Sequence, residues 1–180
     1  MIAPIPTLDD RGGLDFLGPE FLTWLWWRGA ADPCFRYPDG TEVFLHFDEH
    51  LEFRGERAAA RRVTLRTGMP GASMEARAAL RSGKTLVAAR ILLARGEEEA
   101  RCTLRAEDFD VSSLRLPSPE GDTPLDRQVE CLDAAAQFSD DLDLLLSEFL
   151  RVRLDDAWGA EVDRIRAWSL EPSQDERGLV

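Results

Sequence analysis

Two histidines stand four residues apart in "HFDEH", His46 and His50, with Asp48 and Glu49 between them, and imidazole beside carboxylate is a set that binds metal. The flanking run "TEVFLHF" alternates as a strand does, however, and positions i and i+4 of a strand lie about 13 Å apart. One ion cannot bridge that distance unless the chain turns, so ordinary strand-end histidines are expected. The "RSGKT" stretch ends in the Gly-Lys-Thr of a phosphate loop, yet it follows a helical pattern where a phosphate loop precedes one. Ser73, Ser82 and Ser113 lack the context of a nucleophile elbow, and Asp140-Asp141 belong to a polar helix face that solvation explains. Neither catalysis nor a cofactor is expected.

The arginines carry more information. The net charge is −12, but residues 54–115 hold 13 Lys+Arg against 8 Asp+Glu, a local +5, which leaves −17 for the rest of the chain. Strand alternation sorts these cations. In "RRVTLRT", Val63 and Leu65 share one face, and Arg62, Thr64 and Arg66 the other. In "RCTLR", Cys102 and Leu104 oppose Arg101, Thr103 and Arg105. In "KTLVAARILLAR", Thr85, Val87, Ala89, Ile91 and Leu93 would face a core, with Lys84 and Arg90 on the far side. The pattern therefore predicts one sheet face bearing Arg62, Arg66, Lys84, Arg90, Arg101 and Arg105. Guanidinium forks grip phosphates without reading sequence, and the same face would also suit solvent or an acidic partner.

The elements that must position this face follow from caps and periods. Gly18-Pro19 opens a short helix, "EFLTWLWWRG", that Gly29 is expected to stop. Asp39-Gly40 turns a hairpin whose first strand ends at Pro38. Further strands are "HLEFRGE" and "RRVTLRTG". Ser73 caps a second helix that closes at Gly83, two strands flank the turn "GEEE", and "VSSLRL" adds an edge strand. From about Leu125 the period changes. Val129, Leu132, Ala135, Phe138, Leu142, Leu145, Phe149 and Val152 form an apolar stripe, opposite Asp133, Asp140, Asp141, Asp143 and Glu148. A last helix spans about Ala157 to Leu170. The fold class is α+β: an antiparallel sheet with one inserted short helix, an N-terminal Trp-rich helix and a C-terminal helix pair packed on the sheet. We expect a single domain over 14–170 between flexible ends, 1–13 and 171–180.

The first helix is apolar nearly all round. A core role for the whole helix is the first expectation; the second, with one face in the core and the other against something else, makes Trp24, Trp26 and Trp27 candidates for a partner or subunit contact, and base stacking comes third, since only Arg28 is near. Cys34, Cys102 and Cys131 are odd in number and scattered, which suits reduced thiols among core residues in a cytoplasmic protein. No apolar run is long enough to span a membrane.

Segment order adds a resemblance. The helix "LTWLWWRG", the stretch "ASMEARAALRSGK", the paired strands "TLVAARILLAR" and "ARCTLRAEDF", and the acidic helix "QFSDDLDLLLSEFL" resemble the C-terminal half of the recombination-associated protein RdgC family, over roughly Leu14 to Asp155. Its better points are Trp24, the Gly83-Lys84 pair, and Phe138, Asp141, Leu142, Leu144 and Glu148. The resemblance implies a nucleoid-associated protein that binds double-stranded DNA without sequence preference, restrains recombination driven by a RecA-type recombinase, and works as a homodimer whose ring surrounds the duplex. The family's N-terminal half has no counterpart in this sequence, and the loop "TGMPGA" before the inserted helix is uncharged, so a ring of the same construction is not implied. A non-enzymatic protein-interaction module that keeps the fold without binding DNA is the alternative.

Overall fold

The computed structural model describes residues 18–55, 62–66 and 74–171. The expected flexible ends, the Ser73 cap and the loop "TGMPGA" lie wholly or largely outside these residues. The architecture is α+β, as its patterns predict. Helices α1 (Pro19–Ala31), α2 (Met74–Arg81), α3 (Pro124–Arg153) and α4 (Trp158–Leu170) accompany strands β1 (Cys34–Arg36), β2 (Glu42–Arg54), β3 (Arg62–Arg66), β4 (Thr85–Arg95), β5 (Glu98–Arg105) and β6 (Val111–Arg115). The strands form one six-stranded antiparallel sheet in the order β1-β2-β4-β5-β6, with β3 pairing β2 on the edge that β1 also uses.

The hairpin turns where its residues allow. Gly40 takes φ +90°, which an L side chain resists, and its N–H donates to the Tyr37 carbonyl at 3.0 Å. Beyond it β2 runs for 13 residues, joining two segments that the sequence reads separately. The join is a bulge: Phe47 opposes Ile91 and Leu51 opposes Ala89, so β2 spends four residues where β4 spends two. A second irregularity lies in β4. Glu52 opposes Ala88 but Phe53 opposes Leu86, so Val87 is the extra residue and strict alternation fails there. Leu86, not Val87, faces Phe53 across the ladder, and Thr85 opposes the exposed Arg54.

Helix α1 is longer than its glycine suggests. Gly29 lies inside it, and the helix continues to a cap at Asp32, whose N–H donates to the Arg28 carbonyl. Gly18 is the more constrained position, since a Cβ would fall 2.3 Å from the Ala106 carbonyl oxygen. The start of α1 is thereby seated on the end of β5. Seven consecutive residues, Glu20 to Trp26, are buried, because α1 lies between the sheet below and α3 and α4 above.

The C-terminal helices are fixed by polar contacts as well as by packing. Thr123 and Asp126 form a capping box at the start of α3, the Thr123 hydroxyl accepting from the Asp126 N–H at 3.1 Å. Arg77 of α2 donates to the Trp168 and Glu171 carbonyls, closing the end of α4, and its guanidinium stands 4.7 Å over the Trp168 ring. The apolar stripe of α3 is buried in its second half, at Phe138, Leu145 and Phe149. Its first half projects: Leu125, Val129 and Leu132 are 67%, 49% and 70% exposed. Asp141, grouped by the pattern with the polar face, is buried. One of its oxygens accepts from the Tyr37 hydroxyl at 2.8 Å and from Arg95. Burial, then the bond to Asp141, raises the Tyr37 pKa above the ordinary phenol value.

Candidate nucleic-acid interface

Every helix packs on one side of the sheet. Leu45, Leu51, Phe53, Ala89, Ile91, Leu93, Cys102 and Leu104 face that side and belong to one core cluster. Burial pushes the Cys102 thiol up to about 12, so it stays protonated. Cys34 is half-buried and Cys131 is exposed on α3, so only one of the three free cysteines is a core residue.

The positions between these core residues make up the opposite face, and the register assigns them row by row. Arg54 opposes Arg62, Glu52 opposes Thr64, and His50 opposes Arg66. Along the β4–β5 ladder, Ala88 opposes Arg105, Arg90 opposes Thr103, and Leu92 opposes Arg101. Arg101 in turn opposes Arg115 of β6. Directly opposed residues of an antiparallel ladder share a face, with Cβ atoms about 5 Å apart. Arg62, Arg90, Arg101 and Arg105 therefore share one helix-free surface, as strand alternation predicts, and the Arg66 backbone holds a position in the same rows.

Lys84 does not belong to these rows. It precedes β4 in the turn after α2, where Gly83 takes φ +81° and the Lys84 ammonium donates to the Ser82 hydroxyl at 3.1 Å. The β4 bulge changes the parity that seemed to put Lys84 with Arg90. Two cations were missed. Arg54 was readable from "LEFR", where Leu51 and Phe53 point inward. Arg115 was not, because Ser113 takes φ +54° and the β5–β6 register shifts between Arg101 and Thr103.

The protein's own carboxylates already meet part of this surface. Arg62 pairs with Glu52 at 2.6 Å, Arg101 with Glu99 at 3.0 Å, Arg105 with Asp110 at 3.8 Å, and Arg54 with Glu107. The bond that Arg62 donates to Glu52 raises the Arg62 pKa further above its ordinary value. Arg90 and Arg115 are exposed, with no ionic partner among the described residues. The four paired guanidiniums remain at least 49% exposed. The pairs of Arg54, Arg101 and Arg105 are exposed on both partners and contribute little to stability, so an arriving phosphate can replace the carboxylate, whereas Glu52 is buried beside Arg62.

The tryptophan helix requires a correction. Trp24 and Trp26 are 2% and 0% exposed, and they do not reach a partner. The second face of α1 is covered by the chain itself: Trp24 donates to Glu161 of α4 at 3.3 Å and lies against Phe149, and Trp26 meets Trp168 edge-on at 4.8 Å. Trp27 is half-buried and packs against the same core, leaving it only partly available.

No helix among the described residues is long and apolar enough to cross a membrane. Comparison of the chain with family models, curated proteins and solved structures finds no match.

Proposed function

We propose that the protein binds double-stranded DNA through the helix-free face of its sheet, contacting phosphates without reading base sequence. The observation that carries this reading is the register that brings four predicted arginines, Arg62, Arg90, Arg101 and Arg105, with Arg54 and Arg115, onto one exposed surface. Such a surface offers charge and forked donors but no element shaped to enter a groove, so affinity would come from phosphate contacts and counterion release. The packed half of α3 lies on the helix side of the sheet, with Asp141 bonded to Arg95 of β4, away from that face. The likeness to the RdgC family points the same way and extends the proposal to a nucleoid-associated homodimer that modulates recombination.

Fluorescence anisotropy with labelled 20-base-pair duplexes of unrelated sequence tests the reading. Binding should be equal across sequences and, for about four phosphates contacted, weaken roughly 100-fold between about 50 and 200 mM salt. Reversing Arg62, Arg90 and Arg101 to Glu should abolish it. Absence of binding at low salt sinks the proposal. One observation favours a protein-interaction module instead: the exposed Leu125, Val129 and Leu132 on the projecting half of α3 are what a protein partner would cover. Light scattering that finds a strict monomer, with no co-purifying protein, counts against that second reading.

A further inference from the structure

The helix-free face is not basic throughout. At its β1 end, Phe44 stands 36% exposed between the fully buried Val43 and Leu45, so its ring lies on the arginine side of the sheet. His46, two residues along the same strand, is exposed on the same side. Two residues of one strand are about 7 Å apart. Phe44 opposes Ala94 and His46 opposes Leu92, both half-buried, so the two rings stand beside a small apolar floor. The row then continues from Leu92 to Arg101 to Arg115, placing guanidiniums two and three strands from His46. At the open edge Arg36, paired with Glu42 at 2.8 Å, flanks Phe44.

Duplex DNA has no use for exposed rings on a flat surface, because its base faces are stacked inside the helix. Unpaired bases do, since each presents a π-face to an aromatic side chain while arginines hold the neighbouring phosphates. We infer that Phe44 and His46 form a stacking platform for unpaired bases, so that the face holds single-stranded DNA in preference to duplex. The inference rests on the phosphate-binding reading above and assigns the arginine-poor end of the face a separate task. Phe44 supplies the larger π-surface, His46 a second position one base further on, and Arg101 and Arg115 the charge alongside.

The test compares labelled oligothymidylate of 20 nucleotides, an abasic strand of equal length, and a 20-base-pair duplex. Wild-type protein should hold the oligothymidylate more tightly than either. Phe44→Ala should weaken oligothymidylate roughly 5- to 50-fold and leave duplex binding within about twofold; His46→Ala should weaken it less. Phe44→Tyr keeps a stacking ring and should restore wild-type affinity, which separates stacking from any loss of fold. The inference is overturned if Phe44→Ala binds oligothymidylate like wild type while duplex binding persists, or if the abasic strand binds equally well. Failure of the wild type to bind any of the three overturns the phosphate reading as well.

Discussion

The two faces of the sheet use the same residue types for opposite ends. On the helix side, Arg95 lies under α3, bonded to the buried Asp141 and stacked 4.9 Å from the Tyr37 ring centre. On the other side, Arg54, Arg101 and Arg105 hold carboxylates in water. Aromatic rings divide in the same way, with Trp26 enclosed by Phe53 and Trp168 and Phe44 36% exposed. The difference teaches that charge or aromaticity read from a sequence says little until its neighbours are known. Removing an enclosed group leaves a cavity or an unpaired charge, whereas an exposed one is free to exchange partners.

The contrast breaks most readily at Trp26. Trp26→Ala should lower unfolding free energy by about 4 kcal/mol in urea titration, and a loss below about 1 kcal/mol would mean that α1 is not the centre of the core. Next comes Asp141→Ala, which strands Arg95 and should cost about 3 kcal/mol. Asp141→Asn, which keeps an acceptor for Tyr37, should recover part of that. On the open face, Arg101→Ala should leave stability within about 0.5 kcal/mol, and a larger loss would show that the exposed pairs help hold the sheet together.

The smallest effect concerns Asp126 at the projecting start of α3. Hydrogen bonds from the Thr123 side chain and backbone hold its carboxyl below the usual 3.8. A depressed folded-state pKa means that the cap's contribution is complete above the ordinary value and disappears as pH falls through the lowered one. Amide exchange in the first turn of α3 should therefore quicken only below about pH 4. Quickening at higher pH would point to a different capping group.

Where local chemistry decides the outcome, the sequence was readable. Gly40 and Gly83 fall at positive φ as their turn and helix-end contexts predict, and β3 and β5 alternate as their residues do. Tertiary context decided the rest. Gly29 stays helical within an α1 packed on the sheet and under α3 and α4, and Val87 bulges where β2 and β4 run out of step. Trp24 and Trp26 are covered by α3 and α4, which a pattern confined to α1 cannot show. The α3 stripe is continuous in sequence, yet only its second half finds a surface to cover. Most of the arginine face was visible from alternation, but not that Lys84 falls outside it, that Arg115 joins it through an irregular edge, or that Phe44 and His46 share it.

The layering of charge has one more consequence. Exposed carboxylates on the packed half of α3, Asp140 and Asp143 among them, lie on the helix side of the sheet, opposite the arginine face. A body poled in this way turns in an approaching field, so a polyanion meets the sheet first in spite of a total charge of −12. Orientation before contact, more than the sum of charges, then governs how often encounters succeed.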